Sequence, residues 1–162
     1  MAEIDSAKFR QVLGKFPTGV TVVTADDGEN KVGMAIGSFA SVSLDPPLVM
    51  FCPTKTSGSY AAIEKAGHFG VNILGDDQVD VCNTFAGKSD DKFAGVSIRT
   101  EVTGAPIIDG CIGWIDCDIE AIHEGGDHWI VVGRVRDLDV SADRGPLLFF
   151  GGGYGKYDPM PK

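Results

Sequence analysis

With 162 residues the chain falls in the single-domain range of roughly 100 to 200, and its 43% apolar content is enough for an ordinary core without metal or disulfide staples. Against 14 Lys and Arg stand 23 Asp and Glu, and 14 minus 23 gives a formal net charge of −9, which argues against a nucleic-acid partner because such partners are held by clustered Lys and Arg. No run of about 18 apolar residues is present, so no membrane span is expected. The 22 glycines, about twice the average usage of roughly 7%, announce tight turns or close ligand approach.

From the N-terminus, MAEIDSAKFRQVLGKF is charged from residue 3 and lacks the apolar centre of a signal peptide, which predicts a cytoplasmic protein. Asp5 or Ser6 can cap a short helix in which Phe9, Val12, Leu13 and Phe16 recur at helical spacing, and Pro17 stops it. Thr18 to Thr24 reads as a strand turning through Ala25-Asp26-Asp27-Gly28. Lys31 to Ser43 is a second extended stretch, and Leu48 to Phe51 a third. Ser57 to Ala66 reads as a helix ended by Gly67, His68 to Leu74 as a strand, and Asp76 to Phe85 as another helix.

Gly87 to Pro106 has little periodicity and reads mostly as loop. Cys111 to His123 and His128 to Val140 flank Glu124-Gly125-Gly126-Asp127, the clearest hairpin of the chain. Leu147 to Phe150 is the last strand, followed by GGGYGKY. Seven or so strands and two or three short helices, with few helical crossovers, predict a mainly β, antiparallel barrel in one domain spanning 1–162.

Rossmann, P-loop, nucleophile-elbow and HExxH motifs are all absent. Cys52, Cys82, Cys111 and Cys117 form no C-x-x-C pair, and buried thiols are the simpler reading. His123 and His128 lie five residues apart across a turn with no third ligand, so no metal is expected. Two stretches do suggest chemistry. In Gly33-Met34-Ala35-Ile36-Gly37-Ser38-Phe39-Ala40-Ser41, small residues leave backbone N–H and C=O groups open to a flat heteroaromatic ligand, although packing or a bulge would also explain them. Lys55-Thr56-Ser57-Gly58-Ser59-Tyr60 places three hydroxyls and a cation where a helix starts. That arrangement suits a phosphate, or simply caps the helix.

In order along residues 7 to 155, GMAIGSFASVSLDPPLVMF, KTSGSYAAI, FAGKSDDKF, GGDHWIVVGRV and PLLFFGGGY resemble the short flavin reductases, the reductase components of two-component flavin-dependent monooxygenases. The resemblance implies an FMN-binding split barrel, an antiparallel Greek-key β-barrel. It implies hydride transfer from NADH to FMN or FAD, a homodimer, and transient delivery of reduced flavin to an oxygenase component. A flavoprotein that keeps its flavin, as an oxidase or as a binding module, is the alternative.

The resemblance places the isoalloxazine along Ser38, Ala40, Ser41 and Val42, and the flavin phosphate on Ser57, Gly58 and Ser59 with Lys55 nearby. It adds Phe85, Ala86 and Lys92 on the phosphate or ribityl side, Tyr154 at the mouth, and His128 as the residue facing the nicotinamide. Ala35 and Gly37 stand where family members often carry Thr and Asn, and Gly151 to Gly153 follow the aromatic pair where an Arg or His is common. With no basic cluster around Gly125 to His128 to hold a 2′-phosphate, NADH is expected over NADPH.

Overall fold

The computed structural model describes residues 4–161; Glu3, the first charge of the N-terminus, lies outside the described residues. Helix α1 (Ser6–Leu13) is capped by Asp5, whose carboxylate accepts the amide of Ala7 at 3.0 Å. Strands β1 (Thr18–Gly19), β2 (Thr21–Asp26), β3 (Lys31–Ile36), β4 (Ala40–Leu44) and β5 (Pro47–Phe51) follow. Next come α2 (Gly58–Ala66), β6 (His68–Ile73) and α3 (Val79–Ala86), then the short β7 (Ile98–Thr100) and β8 (Pro106–Ile108). The long β9 (Gly113–Gly125) and β10 (His128–Val140) lead to β11 (Leu147–Phe150) and β12 (Gly153–Lys156).

Seven strands pair antiparallel in the order β3-β2-β6-β9-β10-β5-β4, so β3 and β4, consecutive in the chain, are the two edges of one sheet. Laid flat, seven strands at about 4.8 Å spacing would hold those edges roughly 29 Å apart. The chain from Ile36 to Ala40 spans four residue steps and reaches at most about 14 Å. The sheet therefore curls into a barrel that stays open between β3 and β4, and the edge of β3 is left without a strand partner.

Strand β2 explains how the interior is filled. All of Thr21 to Ala25 is buried, with Val23 and Ala25 joining a core built on Phe51, Ile63, Phe69, Val71 and Val131. Val20 and Val22 join a second core with Leu74, Cys82, Phe85, Ile108 and Leu147. A strand buried on both faces reads as a continuous apolar run, and each large side chain so buried contributes roughly 1.5 to 3 kcal/mol. Helices α2 and α3 both lie against β2 and β3. At Gly33 a Cβ would meet the Phe85 ring at 2.5 Å, so only glycine lets α3 sit this close to β3.

Several expected boundaries shift. The extended stretch from Lys31 breaks at Gly37 to Phe39, where the chain crosses the split. The segment expected as loop holds β7 and β8, three residues each and too short to show a period. Buried Asn72 ties β8 to the barrel by accepting the Ile108 amide at 2.6 Å and donating to the Val22 carbonyl at 3.0 Å. GGGYGKY is no tail, for β12 pairs with β11, which pairs with β1 in a three-stranded sheet. The described residues thus form twelve strands, more than the seven or so expected. Asp116 of β9 is fully buried, and its carboxylate accepts the Thr103 amide at 2.7 Å and the Thr103 hydroxyl.

Among the described residues one buried side-chain polar atom has no partner. The Tyr60 hydroxyl is buried without a hydrogen bond, and burial pushes its pKa up to about 12. Tyr60→Phe removes an unsatisfied group and keeps the ring, so it should raise stability by about 1 kcal/mol in urea denaturation, whereas a loss would reveal a bond to the hydroxyl.

Candidate functional site

A groove of about 750 Å3 runs along the open edge of β3. Met34 to Ser38 form its floor, Cys52, Pro53, Thr54 and His128 one wall, and Phe85, Ala86, Lys88 and Lys92 the other, with Ser57 to Ser59 between them. An unpaired strand edge presents alternating N–H and C=O groups. Such an edge can read the imide and ring nitrogens of a flat heterocycle, and the small residues Ala35 and Gly37 give such a ring close access. Ser38 holds the turn of the floor, since its hydroxyl accepts the Cys52 amide at 3.0 Å and donates to the Cys52 carbonyl at 3.2 Å.

The anion end is built from two helix termini. At the start of α2, Ser57 accepts the Tyr60 amide at 3.2 Å, leaving the Gly58 and Ser59 amides without intrahelical partners and the Ser59 hydroxyl free for a ligand. Beyond the end of α3, the Lys92 ammonium donates to the carbonyls of Phe85 at 2.9 Å and Gly33 at 3.1 Å. Two of its three hydrogens tie α3 to β3, and the third remains for a ligand. Burial lowers its pKa. Lys88 also lines the groove and has no carboxylate within ion-pair distance among the described residues. Sequence reasoning passed over it: its place just past a helix end inside FAGKSDDKF was on view, but its lack of an ion-pair partner was not.

His128 stands where the β9–β10 turn meets the segment before α2. Gly126 takes the positive φ of 74° that the turn requires. Asp127 carbonyl accepts the Lys55 amide at 3.0 Å, and the Trp129 amide donates to Pro53 at 2.9 Å, so the turn is bolted to the groove wall. His128 Nδ1 lies 2.8 Å from the Asp127 carboxylate, and this hydrogen bond holds the Asp127 pKa below the usual range. A carboxylate only accepts, so Nδ1 carries the hydrogen and Nε2 is free to accept when the ring is neutral.

Eight of the expected site residues line this groove: Ser38, Ser57, Gly58, Ser59, Phe85, Ala86, Lys92 and His128. The others are placed elsewhere. Ser41 and Val42 sit exposed on β4, whose backbone pairs with β5, while Ala40 faces a neighbouring apolar cavity of about 460 Å3. The floor is instead Met34 to Gly37, upstream in the same motif. Lys55 turns outward, 4.5 Å above the Trp129 ring and 3.4 Å from Glu124. Tyr154 lines a side chamber that adjoins the groove.

All four cysteines are free, and Cys52 alone is partly exposed. Burial pushes the Cys117 pKa up to about 12 and raises that of Cys111. A thiol reagent should therefore modify Cys52 first in the folded protein, and all four only after denaturation. A ligand in the groove should slow the first reaction at least severalfold; FMN leaving that rate unchanged would place flavin away from Cys52.

A barrel opened along one edge, with hydroxyls, helix-start amides and two lysines gathered in the opening, has groups that could hold a flat phosphorylated ring compound. The family described as Flavin reductase like domain matches residues 13–158, and the chain belongs to it. It is 53% identical over 155 residues to a flavin reductase of Pseudomonas putida, covering 95% of this chain and 91% of that protein. With the reductase subunit HsaB of a flavin-dependent monooxygenase from Rhodococcus jostii it shares 49% over 156 residues, 96% of this chain and 80% of the other. Among solved structures, the Streptomyces globisporus NADH:FAD oxidoreductase SgcE6, in complex with NAD and FAD fragments, superposes with a TM-score of 0.92 at 37% identity. That match covers 99% of this chain and all of the other.

Proposed function

We propose that this chain is an NADH-dependent flavin reductase that passes reduced FMN or FAD to an oxygenase component. The observation that carries the reading is the free β3 edge facing a groove whose far end collects the α2 N-terminus, Lys88 and Lys92. The flavin, when bound, supplies the hydride acceptor. The protein's own part is to align two rings and hold a phosphate, which needs no strong acid or nucleophile. The β3 edge and Ser38 turn hold the ring; Gly58, Ser59, Lys88 and Lys92 hold the phosphate; Phe85 and Ala86 close the ribityl side; His128 presents Nε2 to the nicotinamide. The relatives named as a monooxygenase subunit and as an NADH:FAD oxidoreductase support the partner and the cosubstrate.

Arg134 and Arg136 are engaged by Glu120 and Asp118, and Lys55 by Glu124, which among the described residues leaves no free cation on the β9–β10 hairpin or the segment before α2 beside His128 for a 2′-phosphate. The test is NADH oxidation with FMN, FAD and riboflavin in turn, with NADPH run in parallel. No turnover with any flavin would overturn the assignment, and equal efficiency with both nucleotides would overturn the NADH preference.

A homodimer accounts for α1. None of its residues is buried, and Phe9, Val12 and Leu13 are 54–59% exposed, yet eight residues do not sustain a helix in water without packing. Lys8, Arg10 and Lys15 carry no ion pair among the described residues, and a second copy with net charge −9 complements them. Sedimentation at micromolar concentration should show twice 17.1 kDa, and a single-chain mass would remove the dimer. Four free thiols suit the reducing cytoplasm. Among the described residues no helix is long and apolar enough to cross a membrane.

A further inference from the structure

The floor of the groove and its His128 wall come from opposite ends of the strand order: Met34 to Ile36 lie on β3, whereas Cys52 to Thr54 follow β5. Ser38 joins them across the split. Ala40 of β4 pairs with Met50 of β5, so in the same register Ser38, two residues earlier, stands opposite Cys52. Backbone pairing has stopped there, and the Ser38 hydroxyl continues the ladder by accepting the Cys52 amide at 3.0 Å and donating to the Cys52 carbonyl at 3.2 Å. A hydroxyl both donates and accepts, so this one side chain makes the two bonds that a residue exchanges with its partner in an antiparallel rung. The Ser38 amide and carbonyl carry no hydrogen bond among the described residues, which leaves the backbone available where Ser38 lines the groove.

From Cys52 the wall runs directly to His128. The Pro53 carbonyl accepts the Trp129 amide at 2.9 Å, Thr54 forms a bridge with His128, and the Lys55 amide donates to the Asp127 carbonyl at 3.0 Å. These contacts clamp the residues on either side of His128 to 53–55, so a shift of Cys52 carries the imidazole with it. We propose that Ser38 is a positioning residue for hydride transfer, its hydroxyl fixing the gap between the floor that holds the flavin ring and the wall that presents His128 to the nicotinamide. The proposal rests on the groove being the flavin and nicotinamide site. Reacting atoms must approach to about 3 to 3.5 Å, and a misplacement of about 1 Å can cost a hundredfold in rate. The one hydrogen of the Ser38 hydroxyl is engaged by the Cys52 carbonyl, so the side chain acts through the wall and donates nothing to the flavin.

Ser38→Ala removes the strut, and Ser38→Thr keeps the hydroxyl. In anaerobic stopped-flow reduction of FMN by NADH, the Ala variant should lower the limiting rate about tenfold and leave the FMN dissociation constant within about threefold, since the loss is one of spacing and not of ligand contacts. The Thr variant should return the limiting rate to within about twofold of wild type. Because Ser38 acts through the wall that carries His128, adding Ser38→Ala to His128→Ala should cost no more than about a further twofold. The Hε1 proton resonance of His128 reports the same gap without turnover. Ring current from bound FMN shifts it, and at saturating FMN that shift should shrink in Ser38→Ala and recover in Ser38→Thr. A wild-type limiting rate in the Ala variant, a full tenfold loss in the His128→Ala background, or a loss that Thr does not restore overturns the proposal. A wild-type protein that oxidises no NADH with any flavin removes the reductase reading instead, and the His128 resonance then decides on the strut by itself: an FMN shift of the same size in wild type and Ser38→Ala overturns it.

Discussion

Replacing Ser59 with Ala and Lys88 with Gln together should weaken FMN binding about a hundredfold and change riboflavin binding no more than about threefold. Both groups face the anion end of the groove. A hydrogen bond to a charged group contributes roughly 1.5 to 3 kcal/mol, and every 1.4 kcal/mol is a factor of ten. Two such losses, not fully additive for neighbours, give that figure. Ser57 is left intact because its hydroxyl caps α2 on the Tyr60 amide, so removing it would cost about 1 kcal/mol of stability and confuse the reading. Lys92 is left for the same reason, since its ammonium holds the Phe85 and Gly33 carbonyls together. Calorimetric titration with both ligands decides the matter. Equal losses for FMN and riboflavin would mean that the phosphate is not held there.

The start of α2 was legible in the sequence because helix starts announce themselves locally. Ser57 caps α2 one residue before its first turn, as the hydroxyl-rich segment predicts. The hairpin was legible too, because Gly126 sits between two long β-patterned stretches and needs φ above zero. The groove is lined by Met34 to Ser38, upstream of most of the segment the sequence pointed to. Ala40 to Val42 and Met34 to Gly37 both lie along edge strands, β4 paired with β5 and β3 with β2, and what separates them is that α2 and α3 pack beside β3. That distinction is set by tertiary packing of the two helices, and no local pattern encodes it. Lys55 misled for a related reason. Near in sequence to the α2 start, it is drawn outward by Trp129 and Glu124 from the β9–β10 hairpin. Lys88 became visible as a ligand-facing cation only once its surroundings were seen to hold no carboxylate for it.

His128→Ala should leave FMN affinity within about twofold and slow anaerobic flavin reduction by ten- to a hundredfold at saturating NADH. The residue lines the groove on the wall it shares with Cys52, Pro53 and Thr54, and its ring is oriented by Asp127 with Nε2 left to accept. Loss of one positioning contact made in the transition state, worth roughly 1.4 to 2.8 kcal/mol, corresponds to that range. Backbone bonds from Asp127 and Trp129 to the 53–55 segment do not involve the imidazole, so the turn keeps its place in the variant. Stopped-flow reduction separates the possible roles. A contact made equally in the ground state raises the NADH half-saturation concentration and spares the limiting rate, whereas one made only in the transition state lowers the limiting rate. His128→Asn should be milder than Ala, because its amide oxygen can still accept a hydrogen bond. A wild-type reduction rate in the Ala variant at both low and saturating NADH would reduce His128 to a turn residue and move the nicotinamide contact elsewhere in the groove.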